Sequence, residues 1–229
     1  MSLKLHYHPV SQPSRAALAL LHLGKIKYEG KVVNLFTREN RTPEFMAINP
    51  FGTVPCLEHG SFSIGESNAI LTYLCDAYPR ELEKYAGLTI QEKALVSQFL
   101  SWYQGTFRPS LVKIMGIKIQ VGVFQGKPIK ASDIKEAETK MRSTLDFLNQ
   151  YLEKRGPYIC GENMTIADLL IFHEATNMEF YQIELTPWKT VNAWYNRMLE
   201  NEEIAKIHKE FRDGLPATIE ALSKVEIIE

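Results

Sequence analysis

Asn49-Pro50-Phe51-Gly52-Thr53-Val54-Pro55-Cys56-Leu57-Glu58, then Phe62-Ser63-Ile64-Gly65, then Glu66-Ser67-Asn68 at the head of an apolar run, is the stretch on which the reading of this 229-residue chain turns. It spells a turn, a hairpin and a helix start. At a helix N-terminus four amide hydrogens lack partners inside the helix and the peptide dipoles sum to a partial positive charge, so the backbone after Gly65 can hold a carboxylate or a phosphate. Ser67 adds a hydroxyl donor and Glu66 a charge of opposite sign. An anion beside a cation is what the α-carboxylate and α-ammonium of an amino acid present. Val54-Pro55, if cis, would turn the Val54 amide and carbonyl outward to pair with an extended peptide. The stretch therefore points to a small peptide with a zwitterionic end; the plainer alternative is a hairpin followed by a capped amphipathic helix.

Upstream, Leu3, Leu5 and Tyr7 alternate with Lys4, His6 and His8, the pattern of a half-exposed strand. Pro9 to Ser14 breaks it, and the apolar run from Ala16 to Leu23 predicts a buried helix ending at Gly24. Residues 27–35 read as a second strand, and Thr42-Pro43 as the cap and first position of a short helix reaching Ile48. The order is strand, helix, strand, helix, strand, strand, helix. It suits a mixed four-stranded sheet with helices on its faces. Beyond Pro79 the period changes: Ile90, Ala94, Leu95, Phe99, Trp102 and Phe107, and then Ile134, Met141, Leu145, Leu148 and Leu152, recur at helical spacing. Thr165-Ile166-Ala167-Asp168 is a capping-box variant that opens a helix apolar on every side, expected at the centre of this half. The expectation is α/β followed by all-α: residues 1–80 as a sheet domain, 88–229 as a helical bundle, with the boundary between Pro79 and Leu88.

Composition narrows the function classes. A formal net charge of −1 gives no reason to expect nucleic acid or an anionic membrane as partner. No apolar stretch near Met1 is long enough for a signal peptide or a span, so a cytoplasmic protein is expected. Three widely spaced cysteines, Cys56, Cys75 and Cys160, fit reduced thiols better than disulfides or a zinc site. His6 and His8 belong to the strand alternation, and no metal site is expected.

At the tip of the first strand a thiol redox protein of this layout would place Cys-x-x-Cys; this chain has Ser11-Gln12-Pro13-Ser14. Oxygen replaces both sulfurs, which excludes disulfide exchange there. A hydroxyl at a helix start can still donate to a thiolate brought by a ligand. Lowering that thiol's pKa by about two units requires roughly 2.7 kcal/mol. One hydrogen bond to a charged group supplies roughly 1.5 to 3 kcal/mol and the helix terminus about 0.3 to 1, so neither metal nor general base is needed.

At these residues the chain resembles the cytosolic glutathione transferases, and among them the serine-type, theta-like class, where Ser-Gln-Pro-x-Arg follows the first strand; residues 11–15 match it. Val54-Pro55, Glu66-Ser67 and the Thr165 box also fall in that family's order and spacing. The resemblance implies a thioredoxin-like sheet domain and a helical domain with the electrophile pocket, glutathione as co-substrate with no other cofactor, and a homodimer. It implies Ser11 as thiol activator and Gln12, Thr53, Val54, Pro55, Glu66 and Ser67 as glutathione-binding residues, with Pro55 cis. Arg41 is preferred over Arg38 and Asn40 for the glycyl carboxylate. Arg108 would face the sulfur, its charge adding to thiolate stabilisation. Tyr7, in Tyr7-His8-Pro9-Val10, is the alternative activator, because other classes use a tyrosine in such a context.

Arg15 is expected as a structural ion-pair partner, Ser14 as a cap and Cys56 as a buried small residue. Phe51, an aromatic in a turn, makes a two-fold dimer the economical reading. Tyr103, Met115, Ile117 and Phe124 are candidates to line an electrophile pocket. Two functions stay open: conjugation of the glutathione thiolate to a small hydrophobic electrophile, and a non-catalytic binding or assembly module on the same fold.

Overall fold

A computed structural model describes residues 2–229, with the side chains of Phe124, Ala217 and Thr218 outside the description. Strand β1 (Leu3–Tyr7) leads into α1 (Gln12–Leu23), β2 (Glu29–Val32) and α2 (Pro43–Ile48), then the hairpin β3 (Cys56–His59) and β4 (Phe62–Ile64), then α3 (Ser67–Ala77). The sheet order is β2-β1-β3-β4: β1 runs parallel to β2 and antiparallel to β3, which pairs antiparallel with β4. This is the expected mixed sheet of thioredoxin-like type. Leu3, Leu5 and Leu57 point to one face, where they join α1 and α3 in the main core. On the other face α2 lays Phe45 over Val33, Val54 and Cys56, a small second core.

The helical half comprises α4 (Pro79–Ala86), α5 (Ile90–Trp102), α6 (Arg108–Met115), β5 (Ile129–Lys130), α7 (Ala131–Arg155), α8 (Ile166–Ala175), α9 (Asn177–Phe180), α10 (Lys189–Leu199), α11 (Glu202–Asp213), α12 (Leu215–Ser223) and β6 (Ile227–Ile228). It differs from expectation in two places. The segment after Pro79 is itself a helix, which turns Leu82 and Tyr85 into the core. The half is also not purely helical, because β5 and β6 form a two-residue parallel pair, too short to carry any periodicity. Helix α8 is buried along its whole length. Its capping box is complete: Asp168 accepts from the Thr165 amide (2.8 Å), the Thr165 hydroxyl (2.9 Å), the Ile159 amide (2.9 Å) and the Trp194 indole (3.0 Å). Four donors offset the cost of burying a carboxylate that burial alone pushes up in pKa.

Helix α1 lies between the sheet and α8, with α11 alongside. That position explains its sequence. Ala16, Ala17 and Ala19 allow close approach on both sides, and every residue from Gln12 to Leu21 is buried. The start of α1 is thus wedged against the helical half, which decides where its polar residues can point. Among the described residues no helix is long and apolar enough to cross a membrane.

Candidate active site

A cleft of about 200 Å³ opens between the halves, lined by Pro13, Thr53, Val54, Pro55, Glu66, Ser67, Gln104 and Arg108. It gathers Thr53, Val54, Pro55, Glu66, Ser67 and Arg108 from the sequence-derived set. A larger cleft of about 650 Å³, walled by Tyr85, Glu92 and residues 160–165, holds none of them.

The floor is built by the turn-and-hairpin stretch from Asn49 onward. Asn49 is buried and clamps the turn: its Nδ2 donates to the Thr53 carbonyl (2.7 Å) and its Oδ1 accepts from the Phe51 amide (3.2 Å). Gly65 packs on that same side chain, leaving only 2.9 Å between Asn49 Oδ1 and the place a Cβ would occupy. One asparagine therefore sets residues 53–55 and residue 65 against each other. The Val54-Pro55 bond is cis. Glu66 follows in a left-handed backbone conformation (φ 62°, ψ 112°), which costs a non-glycine residue of order 1–3 kcal/mol and is typical of places where geometry serves a ligand. Ser67 then begins α3, whose first amides have no partner inside the helix.

Ser11 caps α1 and stands beside this floor. Its Oγ donates to the Val54 carbonyl at 3.5 Å and accepts from the Ser14 amide at 3.4 Å, both long for such bonds. The hydroxyl is held in place but weakly used. Tyr7 is turned elsewhere: a Cβ on Gly30 of β2 would lie 3.2 Å from its ring and 3.8 Å from its hydroxyl. The Ser14 hydroxyl accepts from the His8 amide (3.4 Å), a capping role.

Other residues of the set are directed away from the cleft. The Gln12 side chain is 3% exposed and its Nε2 donates to Asn177 Oδ1 (2.6 Å) at the start of α9, because the first turn of α1 faces the helical half. Arg41 is exposed and donates to the Phe51 carbonyl (3.3 Å), so it braces the turn. Asn40 donates to the Gly52 carbonyl (2.6 Å) and does the same. Arg15, 1% exposed, corrects the ion-pair expectation: it donates to the carbonyls of Pro9 (2.9 Å), Val10 (2.7 Å) and His173 (3.2 Å) and to the Thr176 hydroxyl (2.8 Å). It also stacks 4.0 Å over the Phe211 ring. With no carboxylate in hydrogen-bond contact among the described residues, burial draws its pKa down to about 9.

Arg108 lines the cleft but is not a free charge. Its Nη1 donates to Glu174 of α8 and to the Tyr103 hydroxyl (3.3 Å), which in turn donates to Glu174 Oε2 (3.0 Å). Asn177 Nδ2 donates to Glu174 Oε1 (2.9 Å). Burial alone would lower the Arg108 guanidinium; the Glu174 carboxylate more than reverses it and holds the cation above its ordinary pKa. Tyr103, expected in an electrophile pocket, is instead fully buried in this network. Met115 touches Gln12 Nε2 through its sulfur at 3.6 Å, Ile117 packs partly buried against the main core, and the Phe124 side chain lies outside the described residues. Sequence reasoning missed Asn49, Gln104 and Glu174. For Glu174 the signal was present, since His173-Glu174 is a polar pair directly after the apolar run from Leu169 to Phe172.

Comparisons with known proteins bear on the whole chain. A family model described as Glutathione S-transferase, N-terminal domain, matches residues 10–77, and one described as Glutathione S-transferase, C-terminal domain, matches residues 120–210. Glutathione S-transferase F10 of Arabidopsis thaliana is 32% identical over 195 residues, 84% of this chain and 90% of the relative. A dichloromethane dehalogenase of Methylophilus leisingeri is 30% identical over 213 residues, 88% of this chain and 78% of the relative. The chain spans 34% of the length of glutathione S-transferase T3 of Arabidopsis thaliana, at 31% identity over 203 residues. A delta-class glutathione transferase of Nilaparvata lugens superposes with a TM-score of 0.83 at 28% identity, covering 96% of this chain and 99% of that one. Human glutathione-S-transferase T1-1 shares the fold, with a TM-score of 0.86 at 24% identity over 97% of both chains. The mixed sheet, the largely helical partner half and the cleft between them thus come with matching sequence in both halves of the chain, which belongs to the glutathione S-transferase family.

Proposed function

We propose that this protein is a serine-type, theta-like glutathione transferase that joins the glutathione sulfur to a small hydrophobic electrophile. In this reading the γ-glutamyl end sits at Glu66 and Ser67, the cysteinyl backbone pairs with Val54, and Thr53 and Pro55 complete the wall. The thiol lies toward Ser11, whose hydroxyl donates to it and favours the anion. The thiolate then attacks an electrophilic carbon, the new carbon–sulfur bond forming as the leaving group departs or, in a conjugate addition, as the electron pair moves onto the acceptor. The observation that carries the reading is the Ser11 hydroxyl, long-bonded at 3.4 and 3.5 Å to its two protein partners and adjoining the cleft through Val54. Such a hydroxyl can turn to a stronger acceptor at little cost.

Gln12 and Arg41 enter this proposal as supports of the first helix and of the turn, and the glycyl carboxylate is left to the cationic edge of residues 38–41. A cytoplasmic homodimer completes the reading, with Phe51, 59% exposed in the turn, as its contact. Because one relative is named a dichloromethane dehalogenase, a dihalomethane belongs beside an aryl halide among the electrophiles to try. The test is a titration of the ultraviolet thiolate band of bound glutathione, coupled to turnover of both halides. A band titrating below the pKa of free glutathione with turnover of either supports the proposal. Binding with neither band nor turnover would make the protein a carrier or assembly module instead.

A further inference from the structure

Polar side chains from distant parts of the chain form one buried line behind the cleft. Gln12 at the head of α1 donates to Asn177, Asn177 donates to Glu174, and Glu174 receives Tyr103 and Arg108. Glu174 is completely buried. Its hydrogen-bond partners all donate to it: a guanidinium Nη1 and a phenol at Oε2, an amide Nδ2 at Oε1. The phenol is oriented by accepting from Arg108, so its proton points to Glu174. A convergence of donors is the environment of a carboxylate anion, because a carboxylic acid would need an acceptor for its own proton. Arg108 uses Nη1 for this pair, while its side chain remains 28% exposed and lines the cleft.

We propose that Glu174 is a charge-setting positioning residue for the thiolate site: it anchors Arg108 in the cleft wall and cancels the guanidinium's charge there. This rests on the proposed placement of the glutathione sulfur beside Ser11. The cleft then meets a hydrogen-bond donor backed by an equal negative charge a few ångströms behind it. The pair presents almost no net charge to an approaching anion and adds little to its stabilisation, so Ser11 carries the larger part of thiol ionisation. That revises the expectation that the Arg108 charge adds in full. The other groups facing Glu174 are accounted for. Tyr181 stands near it as a neutral phenol whose ionisation burial suppresses, and Arg15 is a second cation in range. Arg15 is bonded to oxygens at residues 9, 10, 173 and 176, away from the cleft, and contributes equally with and without the Glu174 charge.

Glu174→Gln is the informative change, since it deletes the charge and keeps the shape. The new amide is accommodated by flipping Asn177 and Gln12 in turn, because each can exchange donor for acceptor. Unmasking one positive charge lowers the pKa of bound glutathione by about one unit, a tenfold rise in the thiolate-to-thiol ratio at low pH. The KM for glutathione stays within about threefold, as its contacts at residues 53–55, 66 and 67 are untouched. Arg108→Gln gives the opposite check: with the guanidinium gone the buried Glu174 takes up a proton, the two charges vanish together, and the bound thiol shifts by less than about 0.3 units. The thiolate band of bound glutathione is followed against pH in the unsubstituted protein and both variants. A downward shift in E174Q with near-silence in R108Q supports the proposal. An unchanged or raised pKa in E174Q overturns it, as does a rise of about one unit in R108Q, which decides the matter alone where E174Q does not fold. No lowered band even in the unsubstituted protein sinks the functional reading itself, and this inference with it, a result distinct from a band that E174Q leaves in place.

Discussion

Ser11→Ala removes one oxygen, the one on which thiol activation is proposed to depend. In the structure that oxygen makes bonds of 3.4 and 3.5 Å, so its contribution to folding lies at the low end for a helix cap, about 0.5 kcal/mol. For a domain of this size that moves the melting temperature by about 1–2 °C. Its contribution to an adjacent thiolate is of another order. A hydrogen bond to a charged group is worth roughly 1.5 to 3 kcal/mol, and at 1.36 kcal/mol per unit the bound thiol of the variant titrates about one to two units higher. Below both pKa values the thiolate fraction, and kcat/KM with it, falls about 10- to 100-fold. Above the pKa of the free thiol the gap closes to within about threefold, because both forms are then ionised. The assay is the pH profile of kcat/KM beside the direct thiolate titration, with KM for glutathione expected to move little. Tyr7→Phe is the companion: Tyr7 packs against Gly30, so its hydroxyl is expected to be silent in both measurements. Were S11A to titrate as the unsubstituted protein does while Tyr7→Phe lost the band, the activating role would pass to the tyrosine and the geometric reasoning would fail.

Glu66→Gly is expected to raise stability and weaken binding together: glycine relieves the φ of 62° at a gain of about 1 kcal/mol, or about 2–4 °C, while KM for glutathione rises about tenfold; calorimetry and kinetics on one sample check it, and a variant both less stable and equally tight-binding refutes it. Asn49→Ala strips the Thr53 carbonyl and the Phe51 amide of buried partners, so a loss of about 2 kcal/mol in denaturant unfolding and a several-fold rise in KM with a smaller change in kcat are expected. His173 is fully buried and burial holds its pKa well below 6.5, with Arg15 and His208 adding repulsion. The unfolded chain therefore binds a proton below pH 6.5 that the folded chain refuses, and stability falls as pH drops from 6.5 toward 5, by at most about 1.4 kcal/mol per unit. His173→Leu removes that part of the slope, which urea titrations at several pH values measure.

The parts of this molecule that were legible in the sequence are those whose causes lie within a few residues. The Thr42 cap and the Thr165–Asp168 capping box each declare a local hydrogen-bonding pattern and are found as read. The alternation of Leu3, Leu5 and Tyr7 gave the strand but not its burial, since α2 covers the other face and buries His6 against Phe45 while Tyr7 is only partly buried. The Glu66-Ser67 helix start belongs to the same class. What stayed hidden is set by partners far along the chain: Gln12 to Asn177, 165 positions apart, Arg15 to Thr176, 161 apart, and Arg108 to Glu174, 66 apart. No periodicity encodes such pairings, because they arise only when α1 and α6 are pressed onto α8 and the start of α9. The β5–β6 pair was invisible for a different reason, since two residues cannot show a period of two.

The Ser-Gln-Pro-x-Arg segment combines both kinds of residue. Its five members are neighbours in sequence, yet the helix they begin has one side against the cleft and the other against the helical half. Ser11 is the residue before the first turn and adjoins the cleft through Val54; Gln12 and Arg15, three apart and so on one face, turn together toward α8 and α9. Gln12 and Arg15 therefore serve the interface between the halves, and Ser11 adjoins the cleft in which the ligand is proposed to sit. This division has an energetic sense. A serine whose hydroxyl must re-aim at a thiolate needs a backbone that does not, and the clasp of Arg15 on the carbonyls of Pro9 and Val10 fixes the two residues immediately before it. The chemistry proposed for position 11 is thus prepared by groups turned away from the cleft, and the burial that hid their partners from the sequence reading also keeps water from loosening them.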